Sequence, residues 1–269
     1  MKRGRLITLA AVLSALALTG AAAHAASTVS ESVSASLSRS GGNSGALTLK
    51  ITRNGRVAYR RRVGAPGCPR CSVVAVPPGK QSLHVLDLES DGDLDVVLGL
   101  FSGGANCCFI DQVFRYSPTT RTYIRSQHNF RNAGAAISKI GGKPVLMSGD
   151  SRITEAGFTD TADSGTPIQI WRFAHGKFTD VTRSYPKLIR ADAAKWMRLF
   201  NHHLSNGVGL IAAWAADEDL LGQSALVDRT LRSLAAQDKL RTPLGLPHNS
   251  ETQFVTQLEK LLHRLGYTH

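Results

Sequence analysis

The chain has 269 residues, 42% of them hydrophobic and 19% charged, with a formal net charge of +12. That length leaves room for one β unit and one helical unit, and the positive balance points to anionic partners rather than cationic ones. A permanent membrane anchor is not expected, because the apolar run over residues 6–18 is shorter than the roughly 20 residues that a spanning helix needs.

The N-terminus, Met1-Lys2-Arg3-Gly4-Arg5, precedes that apolar run, and Ala23-His24-Ala25 follows it in the small-x-small pattern that signal peptidase cuts. Residues 1–25 therefore read as a signal peptide, with export to the extracellular space or cell envelope. Without Lys2, Arg3 and Arg5 the mature chain keeps a charge of +9. Residues 26–45, rich in Ser, Gly and Ala, read as a flexible linker.

From residue 46 the pattern is that of strands. Leu47, Leu49 and Ile51 alternate with polar residues, Asn54-Gly55 is a strong hairpin signal, and Val57 and Tyr59 resume the alternation. Further strands are predicted over residues 83–88, 96–101, 108–116, 122–128, 145–147 and 168–173, with a hairpin connection at Ala174-His175-Gly176-Lys177. Residues 46–185 thus form an antiparallel β-rich domain. After Pro186 the apolar period becomes helical. Asp192 is a candidate cap for a helix carrying Trp196, Leu199 and Phe200, and further helices are expected over residues 210–221 and around Leu226, Leu231 and Leu234. Ser250 with Gln253 forms a capping box ahead of Phe254, Leu258, Leu261, Leu262 and Leu265, and Gly266 ends the run. Residues 186–269 are therefore a helical region, and the fold class is α+β.

Between two apolar strands lies Asp87-Leu88-Glu89-Ser90-Asp91-Gly92-Asp93-Leu94-Asp95. Carboxylates at alternate positions around a turn glycine suit a hard cation such as calcium, which takes six to eight oxygens. Side-chain oxygens are assigned to Asp87, Glu89, Asp91 and Asp95, and a main-chain carbonyl to Asp93, giving one Ca2+ site. An EF-hand is excluded, since position 12 is Leu98 and no helices flank the loop.

This loop, followed by Val96-Val97-Leu98, resembles the FG-GAP repeat of integrin-type β-propellers and the related VCBS-type repeats of exported bacterial proteins. Ser102-Gly103-Gly104-Ala105-Asn106-Cys107-Cys108 is similar to a stretch that follows the loop in such proteins. The resemblance covers about residues 80–185. It implies a partial, propeller-like domain in which Asp87, Glu89, Asp91, Asp93 and Asp95 hold calcium between two strands of a blade. A degenerate second copy is expected fifty residues on. Aligning Gly92 with Gly142 puts Ile137, Lys139, Gly141 and Val145 at the positions of Asp87, Glu89, Asp91 and Asp95, with no side-chain ligand retained.

Four cysteines in an exported chain favour disulfides, with three pairings possible. Pairing the neighbours Cys107 and Cys108 demands a strained ring, so the favoured arrangement ties both to Cys68 and Cys71, contributing about 3–4 kcal/mol per bridge. Cys68-Pro69-Arg70-Cys71 has the spacing of a redox pair, but no helix follows it to lower the thiol pKa. Arg53, Arg56, Arg60, Arg61 and Arg62 make a basic arm suited to an anionic envelope polymer. Nucleic acid is disfavoured, because export removes the target and the aromatic residues do not interleave with the basic ones. His202-His203 and Asp217-Glu218-Asp219 read as solvated helix faces, and Trp171, Trp196 and Trp214 as core anchors. No motif of a catalytic nucleophile or of a zinc protease is present. The expected function is a secreted or surface-associated, non-enzymatic binding module holding calcium, its partner an anionic polymer or another surface protein. The alternatives are an extracellular enzyme acting on envelope polymers with structural calcium, and a thiol-disulfide oxidoreductase using Cys68 and Cys71.

Overall fold

Period-two alternation carries the first half of the chain into antiparallel sheets, because such strands present one apolar face at a time. The computed structural model describes residues 32–39, 47–65, 68, 82–103, 108–202, 207–241 and 250–268. The expected signal peptide, together with Cys71, Cys107 and His203, lies outside the described residues.

The first sheet has the order β1 (Val33–Arg39), β2 (Leu47–Arg53), β3 (Arg56–Arg62). Asn54 and Gly55 join β2 to β3 at φ of 50° and 75°, the left-handed conformations that a two-residue hairpin turn demands. Strand β1 corrects the expectation of a linker over residues 26–45. Val33, Ala35 and Leu37 point inward at period two, and the serines among them masked the pattern.

The second sheet is a meander of β4 (Leu83–Leu86), β5 (Asp95–Phe101), β6 (Phe109–Ser117) and β7 (Thr122–Asn129). The third repeats the arrangement with β8 (Ala135–Ile140), β9 (Lys143–Gly149), β10 (Ile168–Ala174) and β11 (Lys177–Asp180). The second sheet is the middle layer. Val96, Leu98, Leu100, Ile110 and Phe114 cluster with Leu49 and Ile51 of the first sheet. From the opposite face Val97 and Val113 meet Leu146 and Phe173 of the third.

The first hairpins of these two meanders occupy equivalent places in the topology. In the second sheet the connection is the acidic loop; in the third it is Gly141-Gly142, with φ of 57° and 80°. The alignment of Gly92 with Gly142 thus joins equivalent connections. Ile137 and Lys139, however, stand within β8, so this shorter hairpin has no loop positions that correspond to Asp87 and Glu89.

The helices begin with one turn, α1 (Ser151–Thr154), capped by the Asp150 carboxylate, which accepts from the Arg152 amide. They continue after β11 with α2 (Pro186–His202), α3 (Val208–Leu220), α4 (Ser224–Ala236) and α5 (Glu251–Leu265). Helix α2 starts at Pro186, not at Asp192, since proline suits the first helical position. Asp192 lies mid-helix and accepts from Lys195 Nζ and from Trp196 Nε1. Helix α3 is apolar all round, and residues 208–217 are all buried, as expected of a helix at the centre of its own core. Helix α5 has its expected ends: the Gln253 amide donates to Ser250 Oγ at 3.2 Å, and Gly266 closes the helix at φ 79°. Arg183 joins two helix ends by donating to the carbonyls of Leu220, Gly266 and Tyr267. The architecture is mixed, with antiparallel strands in three sheets followed by helices.

Close packing sets one testable sign. A Cβ on Gly209 would stand 2.6 Å from Thr159 Cγ2 and 2.8 Å from Ser164 Cα. Alanine for glycine in a helix is usually worth up to about 1 kcal/mol of stability. Here Gly209→Ala is expected to cost about 1–3 kcal/mol by overpacking, read as a lower midpoint in chemical denaturation. An unchanged or higher midpoint would contradict this packing.

Candidate functional site

The acidic loop is folded by its own carboxylates. Asp87 accepts from the amides of Asp91 and Gly92 at 3.1 and 3.0 Å, and Asp91 accepts from the Asp93 amide at 3.0 Å. Such side-chain caps let the chain reverse, helped by the left-handed backbone at Ser90 and Gly92. At the root of the loop Asp95 is 1% exposed. One of its oxygens, Oδ2, accepts from the Leu88 amide at 3.1 Å, whereas Oδ1 is buried and accepts no hydrogen bond. Burial pushes this carboxyl up to about 7, with the charges of Glu89 and Asp91 adding and the Leu88 amide opposing.

Two other loop carboxylates engage neighbouring sheets. Both Glu89 oxygens accept from the β10–β11 turn, from the His175 amide at 3.1 Å and the Gly176 amide at 3.2 Å. Asp93 pairs with Arg53 at 2.9 Å, and that guanidinium lies 4.0 Å from the centroid of the Tyr116 ring. The loop thereby touches all three sheets. Asp87, Asp91 and Asp95 are the loop carboxylates not engaged with a neighbouring sheet, Asp95 buried, Asp87 half-buried and Asp91 exposed. Among the described residues no three His, Cys, Asp or Glu side chains stand together as a metal-holding group. The loop nevertheless contains an oxygen suited to a cation, the buried and unpartnered Asp95 Oδ1.

Arg53 thus differs from the rest of the basic arm: its side chain is 9% exposed and engaged in the fold. Arg56, Arg60, Arg61 and Arg62 are exposed on β3. Cys68 and Cys108 are not free thiols, and Cys71 and Cys107 lie outside the described residues. No described helix is long and apolar enough to cross a membrane.

A cleft of about 630 Å³ opens between the second and third sheets. It lies where the apolar contact between the two sheets gives way to small residues. Gly99 on β5 has no side chain, and a Cβ placed there would be 3.5 Å from Asp111 Oδ1 on the neighbouring strand β6. Ala135 and Ala136 of β8 face the opening, together with Ile137 and Met147, while Ser82 and His84 supply polar groups. Among the described residues Asp111 is the one carboxylate of the lining. Nothing in the sequence marked it, because a single aspartate in a strand carries no motif; the useful signal was a small residue, Gly99, in an otherwise bulky buried strand.

The acidic stretch on α3 is also corrected. Asp217 and Asp219 are 0% and 3% exposed, so they are not a solvated face. Neither Asp217 oxygen has a hydrogen-bond partner. Its carboxyl is pushed up to about 9, chiefly by burial, with the Asp192 charge adding and Lys195 opposing. The fully apolar body of α3 draws these residues inward.

The sequence matches no protein-family model, and neither a curated protein nor a solved structure matches it.

The buried Asp217 fixes a pH dependence. The unfolded chain releases this proton near the ordinary value of 3.8, whereas the folded chain holds it up to about 9. Stability is therefore lost as pH rises through that window. Asp217→Asn removes the loss. Each pH unit of the window is worth up to about 1.4 kcal/mol, and 1 kcal/mol moves a thermal midpoint by about 2–4 °C at this size. Relative to the parent, the variant should gain several degrees on going from about pH 5 to about pH 8. A parent–variant difference that is the same at both pH values would contradict the assignment.

Proposed function

We propose that the mature chain is a secreted or surface-associated, non-enzymatic binding module whose acidic loop takes one calcium ion. The observation that carries the calcium reading is Asp95 Oδ1, a buried carboxylate oxygen without a partner at the root of a loop rich in carboxylates. An uncompensated buried charge is costly, and a cation at this point would offset the cost. Asp87, Asp91 and Asp95 would hold the ion with the Asp93 carbonyl. Glu89 acts as a brace to the β10–β11 turn, which narrows the expected ligand set by one side chain. Calcium would supply rigidity rather than chemistry.

The matching topology of the second and third sheets supports the FG-GAP and VCBS-type resemblance, since two four-stranded meanders stacked face to face are the form that propeller blades take. A partial propeller-like reading of residues 46–185 rests on that likeness. Export rests on the leader sequence, and disulfides among Cys68, Cys71, Cys107 and Cys108 fit that compartment. The alternative, an extracellular enzyme acting on envelope polymers, would call for paired acid and base carboxylates; among the described residues Asp111 is the carboxylate of the intersheet cleft.

Calcium should raise the thermal midpoint at millimolar concentration and lose its effect with chelator, because an ion that binds only the folded state stabilises it by mass action; extracellular modules bind calcium at about 0.1–1 mM. Asp91→Ala should abolish the response and Lys139→Ala, at the aligned site on β8, should keep it. Identical responses from parent and both variants would reduce the loop to an acidic turn.

The exposed arginines of β3 suit an anionic envelope polymer. Retention of the mature protein on immobilised teichoic acid should fall with added salt, since exposed charges are screened beyond about 8 Å at physiological ionic strength. It should fall further in the Arg60→Ala, Arg62→Ala double variant. Retention that is indifferent to salt and to these changes counts against the contact.

A further inference from the structure

The cleft between the second and third sheets has a feature that the calcium loop does not explain. Strand β6 is tightly packed on both sides of Asp111, with Ile110 and Gln112 at 3% and 1% exposed. Asp111 itself is half-buried at the wall of the cleft, and its carboxylate takes no hydrogen bond and no ion pair among the described residues. Its cross-strand neighbours offer nothing: Gly99 is on one side and His128 on the other. The His128 ring is committed elsewhere, stacked among Trp171, Phe130 and Phe178 with centroids 4.1, 4.6 and 5.4 Å away. Among the described residues the remaining titratable group of the lining is His84, exposed on β4.

A half-buried carboxylate without a protein donor at the wall of a cleft is open to a partner from outside, and such groups are functional-site candidates. The space over Asp111 is of ligand size, since small-molecule sites run to about 300–1,000 Å³ and combine an apolar lining with a few polar groups. Here Val97, Ile137, Met147 and Phe109 provide the lining, and Phe109 is braced by Phe101 in a stacked pair at 4.6 Å. Gly99 and Gly134 keep the space open, the second because a Cβ there would press on the Phe109 ring at 3.2 Å.

We propose that this cleft is a binding site for a small organic ammonium cation with a compact apolar or aromatic body, its charged nitrogen paired with Asp111. The charge pattern selects this class. An anion would be repelled by the carboxylate, a neutral apolar molecule would leave Asp111 without a donor, and a bare inorganic cation would leave the apolar walls wet. An ammonium head satisfies the carboxylate while its body fills the space beside Met147 and Phe109. Burial holds the Asp111 carboxyl up at about 7, and pairing with a cation would return it towards its ordinary acidity. The proposal deepens the reading of the chain as a binding module by naming a ligand class, and it is independent of whether the acidic loop takes calcium.

The test uses the mature protein with methyl-labelled methionine. Met147 lines the cleft, whereas Met197 sits in the helical core and serves as an internal control. Phenethylammonium, phenethyl alcohol and hydrocinnamate are titrated in turn, with calcium and again with chelator. The expected result is a saturable shift of the Met147 methyl by phenethylammonium with Met197 unmoved. The ammonium should bind at least about tenfold more tightly than the alcohol, since a charge-assisted bond is worth about 1.5–3 kcal/mol, and hydrocinnamate should not bind. Asp111→Asn should bring the ammonium down to the level of the alcohol. A Met147 methyl unmoved by the ammonium up to about 10 mM, weaker than any specific site of this size warrants, overturns the proposal. So does equal binding of ammonium and alcohol to the parent, a comparison that needs no variant to fold. Either failure, with calcium stabilisation intact, leaves the loop reading standing; a Met147 shift by the alcohol alone would keep a binding cleft but not this ligand class.

Discussion

Strand β5 has no exposed face, and the placement of charge in the β half follows from that. Val96, Leu98 and Leu100 are covered by the first sheet, and Val97 by the third. A strand buried on both sides has no solvent-facing row on which to place polar groups. Asp95 at its first position is drawn to 1% exposure, with one oxygen held by the Leu88 amide and the other left without a donor. Further along, Gly99 removes a side chain from the same strand, and the vacated space brings the Asp111 carboxylate to the wall of a cleft. The unpartnered Asp95 Oδ1 and the cleft-wall position of Asp111 thus both follow from the packing of one strand.

The acidic loop gains its importance from what it joins. Glu89 reaches the β10–β11 turn of the third sheet, and Asp93 holds Arg53 of the first, whose guanidinium in turn covers Tyr116. An ion bound within residues 87–95 would therefore act on three layers and not only on one turn. This is also why a calcium effect on global stability is a reasonable expectation for so small a loop: mass action stabilises whatever must unfold together with the site.

Much of the fold was legible because its signals are local. Asn54-Gly55, Ala174-His175-Gly176-Lys177, Ser250 and Gly266 each mark a chain reversal or helix end by backbone chemistry alone, and the structure has a turn or cap at each. Strand β1 escaped because Ser34, Ser36 and Ser38 made a half-buried strand look like a tether. The start of α2 was misplaced because Pro186 acts through its fixed φ rather than through a capping side chain. The acidic loop was visible as a motif, yet the engagement of Glu89 with a turn 86 residues away was not, since a long-range partner leaves no local trace. Asp217 and Asp111 were missed for the same reason. Burial is a property of what packs against a residue, and a charged side chain at a helix end or in a strand looks alike in sequence whether it meets water or a core.

The most direct measurement is diffraction from crystals of the mature protein grown with millimolar calcium, collected where calcium scatters anomalously. The account predicts an anomalous peak in contact with Asp95 Oδ1 at a calcium–oxygen distance of about 2.3–2.6 Å, with Asp87 and Asp91 contributing oxygens and Glu89 still bonded to the amides of His175 and Gly176. A map without a peak at Asp95, in crystals soaked to a calcium concentration well above the millimolar range, would contradict it.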